Sequence, residues 1–286
     1  MNYFGGKWRI AQSIIHCFPS HRVYVEPFGG GASVLLKKPR SHAEVYNDLD
    51  GEIVNLFHVA RDHGAELLQC VKLTPYSRTD FCDSYKTSPD EIEQARRTLV
   101  RSWMGFSGNL TRPNLDGTPQ RAGFRTYSKK RSTTPAHDWH TFAENLAAVI
   151  DRLRGVIIES RPAIDVMRHF DTVDTLHYVD PPYVHSTRSK ANGYRYEMTG
   201  DDHIELSKNL QTLCGAVILS GYDCELYNEL YSDWKRVEIP TYANGARKRT
   251  EVLWLNEKCS ADGFLDFDGQ RPSSGSGGNG MENLDK

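Results

Sequence analysis

Short apolar or alternating runs recur along the chain at Val23-Tyr24-Val25-Glu26, Ala43-Glu44-Val45-Tyr46, Val156-Ile157-Ile158-Glu159, Thr175-Leu176-His177-Tyr178-Val179 and Ala216-Val217-Ile218-Leu219-Ser220. Their length and β-branched or aromatic content read as strands. Between them, apolar residues return every three to four positions: Ile10, Ile14, Ile15 and Phe18; Ile53, Val54, Leu56, Phe57 and Ala60; then over 163–170, 201–213 and 224–231. These read as helices, and Val34-Leu35-Leu36 reads as the start of another. Strands alternating with helices predict an α/β sheet covered by helices on both faces. Two further strand-like runs, 234–239 and 251–256, flank Asn244-Gly245-Ala246-Arg247-Lys248-Arg249, which reads as a basic hairpin tip.

The rhythm breaks between about residues 64 and 135. Helices are expected over 64–85 and 90–104, and another over 139–153, but 105–135 is too polar and turn-rich for a core. The chain therefore divides into a first sheet-forming part (1–62), an inserted part (63–138), a second sheet-forming part (139–268) and a tail (269–286) whose Gly/Ser-rich composition is expected to be disordered. A formal charge of −2 over 286 residues offers no global attraction to nucleic acid. Between Arg101 and Pro135 the insertion differs: Arg101, Arg112, Arg121, Arg125, Lys129, Lys130 and Arg131 face one acid, Asp116, and Trp103, Phe106, Phe124 and Tyr127 lie among them. Basic residues interleaved with aromatics point to local nucleic-acid contact, against the plainer reading of a solvated hairpin. The six cysteines are scattered without CxxC pairs, and His137 and His140 have no second ligand pair nearby, so no zinc site is expected. With no long apolar stretch and no signal pattern, a cytoplasmic protein is expected.

Three punctuated strand ends carry the candidate chemistry. Thr175–Val179 runs into Asp180-Pro181-Pro182-Tyr183, where two prolines forbid further strand or helix. This leaves an acid, two carbonyls and an aromatic ring at the carboxyl end of a strand, the edge at which open α/β sheets bind ligands. Val23–Glu26 runs into Pro27-Phe28-Gly29-Gly30-Gly31-Ala32-Ser33, a glycine-rich turn that has neither the Gly-Lys-Ser/Thr of a P-loop nor the spaced glycines of a dinucleotide fingerprint. Asp48 and Asp50 follow the second strand, where one can accept ribose hydroxyls while the other caps the next helix. Gly5-Gly6-Lys7 precedes the first helix and permits close approach to a ligand, although a solvated N-terminal arm is the commoner situation. The polar stretch 184–199, with Arg188, Lys190 and Arg195, is long enough for a mobile loop over the site.

In this order, Tyr3-Phe4-Gly5-Gly6-Lys7, Val25-Glu26-Pro27-Phe28-Gly29-Gly30-Gly31-Ala32-Ser33-Val34, Asn47-Asp48, Asp180-Pro181-Pro182-Tyr183 and the segment from Asn244-Gly245 to Glu251 resemble the motifs of Dam-type (D12 class) DNA adenine-N6 methyltransferases. The resemblance covers about residues 1–257 and implies a Rossmann-like methyltransferase sheet with an inserted, mainly helical target-recognition domain bearing a basic β-hairpin. It implies S-adenosylmethionine as cofactor, S-adenosylhomocysteine as product and no metal. Cofactor contacts would come from Tyr3, Lys7, Glu26, Pro27, Phe28, Gly29, Gly31, Asp48 and Asp180, and the target base would meet Asp180, Pro181, Pro182 and Tyr183. Tyr3 stands where the family often has tryptophan. Double-stranded DNA would be held by Asn109, Arg112, Asn114, Arg121, Arg125, Lys129, Lys130, Arg131, Asn244, Arg247 and Lys248. Residues 122–127 depart from the form typical of GATC-specific members. No membrane or obligatory protein partner is implied, and the family points to a bacterial, prophage or phage-like setting, with restriction-modification among its roles.

The chemistry suits these residues. The adenine amino nitrogen is a poor nucleophile because its lone pair is delocalised into the ring. Acceptors at the Asp180 carboxylate and Pro181 carbonyl would favour a more tetrahedral nitrogen, and Tyr183 would offer a stacking face. The base must be flipped out of the duplex to reach them. RNA adenine methylation and a non-catalytic DNA-binding module are the competing readings; an asparagine in place of Asp180 would have pointed to a protein amide.

Overall fold

A computed structural model describes residues 6–106, 123–126, 133–187, 195–242 and 248–260. In chain order the elements are α1 (Ala11–Ile15), β1 (Val23–Glu26), β2 (Ala43–Asn47), α2 (Gly51–Asp62), α3 (Gly64–Leu73), α4 (Arg78–Asp83), α5 (Glu91–Met104), α6 (Pro135–Leu153), β3 (Val156–Glu159), α7 (Ala163–His169), β4 (Thr175–Val179), α8 (Gly200–Leu210), β5 (Ala216–Gly221), α9 (Glu225–Leu230), β6 (Lys235–Tyr242) and β7 (Lys248–Leu255). The strands form one seven-stranded sheet in the order β3-β2-β1-β4-β5-β7-β6. The first five are mutually parallel, and β6 and β7 close the far edge as an antiparallel hairpin on β5.

Period-two alternation assigns the two faces. Leu176 and Tyr178 of β4 and Ala216 and Ile218 of β5 pack with α1, α2, α3, α5 and α6. Val179, Val217 and Leu219 turn the other way, onto Leu206 and Leu210 of α8 and Tyr227 of α9. Val25 and Val45 of β1 and β2 pack on Val166 of α7. β4 and β5 are buried at every residue, as expected of strands covered on both sides.

Two helix expectations are corrected. The helix expected over 64–85 is two helices, because Pro75 lacks an N–H and drives Thr74 extended (φ −80°, ψ 115°); Ser77 then caps α4 by accepting from the Asp80 N–H at 3.0 Å. Val34-Leu35-Leu36 opens no helix. Its turn closes through Leu36 N to Ala32 O and Lys38 N to Val34 O, both 2.9 Å, and Pro39 ends it. Beneath it, buried Glu44 of β2 joins the Lys38 ammonium (2.6 Å) to the Arg152 guanidinium of α6 (2.6 and 2.8 Å), and Arg152 also donates to the Leu35 carbonyl at 2.7 Å. This network locks the segment after the glycine turn onto β2 and α6.

Of the expected basic insertion, Gly105 and Phe124 form one antiparallel bridge; Asn109, Arg112, Asn114, Arg121 and Lys129-Lys130-Arg131 lie outside the described residues, as do Tyr3, residues 244–247 of the expected hairpin tip, whose Lys248 and Arg249 already belong to β7, and the residues from 261 onward. Among the described residues no helix is long and apolar enough to cross a membrane.

Candidate cofactor and target-base site

At the carboxyl edge of the parallel strands a cavity of about 560 Å³ opens, within the usual size for a small-molecule site. Its lining comes from the turns after four strands: Pro27 to Gly31 after β1, Asp48 to Asp50 after β2, Pro162 to Ile164 after β3, and Asp180 and Pro182 after β4. Lys7 enters from before α1, Arg195 to Met198 from the long connection into α8, and Glu205 and Leu206 from α8 itself.

Local sequence shapes the glycine turn. Gly30 has a positive φ (47°), a conformation glycine adopts without strain, and Ala32 shares it (50°) at the cost its Cβ imposes. A Cβ on Gly29 would stand 2.2 Å from the Tyr46 ring, so only glycine lets β2 press against this turn. Tyr46 then donates its hydroxyl to the Gly30 carbonyl at 2.8 Å. Asn47 stitches neighbouring strand ends together: its amide donates to the Pro27 and Arg161 carbonyls (2.8 and 3.0 Å) and accepts from the Arg161 N–H (3.0 Å).

The two acids after β2 divide their work. Asp50 accepts from the Glu52 N–H at 3.1 Å and caps α2, and it also accepts from the Arg195 guanidinium at 2.7 Å. Asp48 accepts from Gly30 N (2.7 Å) and Asp50 N (2.8 Å) while lining the cavity, and burial pushes its carboxyl up to about 6. At the end of β1, Glu26 accepts from the Tyr24 hydroxyl (2.8 Å) and Leu35 N (3.0 Å); burial pushes it up to about 8. Phe28 packs against the apolar cluster on the α8 side.

At the β4 end, Lys7 donates to both oxygens of Asp180, at 2.7 and 2.6 Å, and its ammonium lies 4.8 Å from the centre of the Tyr183 ring. Burial raises the Asp180 carboxyl to about 6, Lys7 pulls it down and Glu251 pushes it up. Pro181 and Tyr183 are buried, and Tyr183 meets Tyr222 edge-on at 4.5 Å. The fold thus brings Lys7, Glu26, Pro27, Phe28, Gly29, Gly31, Asp48 and the Asp180 to Tyr183 turn to one sheet edge.

Arg125, expected at DNA, donates to the Trp103 carbonyl (3.1 Å) and to Asp138 (3.3 Å), joining the insertion to α6. Asn109, Arg112, Asn114, Arg121, Lys129, Lys130, Arg131, Asn244 and Arg247 lie outside the described residues; Lys248 opens β7, with its side chain likewise outside. Sequence reasoning gave no site role to Leu49 and Ile164, nor to Glu251, which entered only as the end of a motif segment. The signal for Glu251 was a carboxylate inside the apolar run of β7; Leu49 and Ile164 carried none, since apolar cavity walls look like core.

Residues 3–243 match the family model described as D12 class N6 adenine-specific DNA methyltransferase. DNA adenine methylases of Salmonella typhi and Escherichia coli strain K12 are similar at 25% and 24% identity over 270 and 272 residues, each covering 88% of this chain and 92% of the relative. A match over that span, with the glycine turn, Asp48 and the Asp-Pro-Pro-Tyr turn meeting at one cavity, makes the chain a member of the D12 class N6 adenine-specific DNA methyltransferases.

Proposed function

We propose that the chain methylates N6 of an adenine flipped out of double-stranded DNA, using S-adenosylmethionine, with Asp180 at the junction of the cofactor and base sites. The observation that carries this reading is Asp180 itself: a carboxylate held by Lys7, next to Tyr183 and lining a cavity whose other walls include the glycine turn and Asp48.

The cavity fits the cofactor by volume and by lining. Asp48 would accept from the ribose hydroxyls, Leu49 and Ile164 offer apolar surface for a ring, and Lys7 with the Gly29 to Gly31 turn would hold the charged amino-acid end. When bound, the cofactor supplies an electrophilic methyl group on a sulfonium. Asp180 and the Pro181 carbonyl accept the two amino N–H bonds of the base, turning the nitrogen lone pair out of the ring plane. Their contribution is orientation and stabilisation of the charge that develops on nitrogen. A carboxylate with a pKa of about 6 is too weak a base to ionise the neutral amine first, so the proton leaves with or after methyl transfer. Tyr183 offers a stacking face for the flipped base. Residues 63–138 act as the target-recognition domain, with Arg112 beside Asn109 and Asn114 at base edges and Lys129, Lys130 and Arg131 at phosphates.

The test is incubation of unmethylated genomic DNA with the protein and S-adenosylmethionine, followed by single-molecule mapping of N6-methyladenine. Methylated adenines in wild type, absent with folded Asp180→Ala, are expected. Methylation confined to RNA, or no methylation by a folded wild type, would overturn the reading.

A further inference from the structure

Glu251 is a carboxylate placed in the apolar strand β7 and is 2% exposed. Its Oε1 accepts from the Tyr183 hydroxyl at 2.6 Å and from the Ser220 hydroxyl of β5 at 2.7 Å, and it lies 3.7 Å from the Lys7 ammonium. Two of these three neighbours belong to the Asp180 site. The arrangement is one buried carboxylate, Glu251, and one partly exposed at the cavity, Asp180, flanking one cation, with the ammonium hydrogen-bonded to both oxygens of Asp180. The target amine needs an Asp180 oxygen, so Lys7 has to release one. A shift of about 1 Å would bring the ammonium to the usual charge-assisted distance from Glu251.

We propose that Glu251 is a positioning residue for methyl transfer: it anchors the Tyr183 hydroxyl and takes over the Lys7 ammonium as the target amine engages Asp180. This rests on the proposed role of Asp180. The titratable and charged groups facing Asp180 are Lys7 ahead of α1, Glu26 from β1, Tyr178 from β4, Tyr183 in the following turn and Glu251 from β7. Lys7 and Glu251 act on the Asp180 carboxyl in opposite directions, the ammonium lowering its pKa and the carboxylate raising it. Neutralising Glu251 therefore lowers the Asp180 pKa and commits Lys7 to Asp180.

Glu251→Gln keeps the shape of the side chain and an acceptor for Tyr183 while removing the charge. In the full-length chain, its kcat should fall at least about tenfold, while the dissociation constant for S-adenosylmethionine stays within about twofold. The acid limb of the pH–rate profile should move to lower pH. Glu251→Asp, which retains the charge, should keep that limb near the wild-type position. Carbon-13 NMR of protein carrying labelled aspartate, with Asp180→Asn to assign the resonance, follows the same titration without turnover and should show it falling in Glu251→Gln. An unmoved Asp180 titration in folded Glu251→Gln, or an unchanged kcat, would overturn the proposal. A wild type that methylates no DNA would instead strike the proposed function, and the NMR titration would still decide whether Glu251 sets the charge of the Lys7–Asp180 pair.

Discussion

In the proposed role Asp180 accepts an amino N–H most strongly as a carboxylate, and burial pushes its carboxyl up to about 6 against the pull of Lys7. The rate of methyl transfer should therefore fall as pH drops through about 6, a loss that a pH–rate profile at saturating cofactor would register. Asp180→Ala should lower kcat by roughly 10²–10³. Asp48→Ala should weaken cofactor binding by about 1.5–3 kcal/mol, the scale of a hydrogen bond to a charged group, and leave DNA binding less changed; calorimetry compares the two. Much at this scale was legible beforehand, because acids and glycines at strand ends stand out against an apolar pattern. The residues alone left open which of Asp48 and Asp50 caps α2, while the resemblance assigned Asp48 to the cofactor; Asp50 caps the helix through the Glu52 N–H and also pairs with Arg195, 145 positions away, a contact no local pattern announces.

Strands and helices were readable wherever burial is periodic, and the two misread elements fail for local reasons. Pro75 divides a continuous helical pattern, and Pro39 stops Val34-Leu35-Leu36 after a turn. What no pattern announces is how the glycine turn is held from below, by Tyr46 packing on Gly29 and by the Glu44–Lys38–Arg152 network. Gly29→Ala should cost about 1–3 kcal/mol through overpacking and weaken cofactor binding as the turn is displaced. Arg152→Ala removes the guanidinium bonds of buried Glu44 but leaves it paired with Lys38, and should cost about 1.5–3 kcal/mol. Denaturant titrations measure both. If Arg152→Ala is neutral, the network does not hold the turn.

For the molecule as a whole, the proposed function separates affinity and sequence choice by location. Neutralising Lys129, Lys130 and Arg131 together should weaken binding to all duplexes alike and flatten the salt dependence, whereas Arg112→Ala should alter the ratio of methylation between sequences, by roughly 1–3 kcal/mol at one base pair if its contact is bidentate. Equal loss at every site would leave Arg112 as a positioning contact. The site also gathers residues from distant parts of the chain: Lys7 before the first helix, Asp180 after β4 and Glu251 in the last strand. Synthesis runs from the N-terminus, and domains fold as their residues emerge. A nascent chain that has produced β4 carries the cofactor turns and Asp180, but neither the carboxylate that anchors Tyr183 nor the strand that pairs with β5 along Ile218 to Gly221. Methylating capacity should then appear abruptly, once β7 has left the ribosome, and a message truncated before it should yield a protein that leaves the adenines of its own template unmarked.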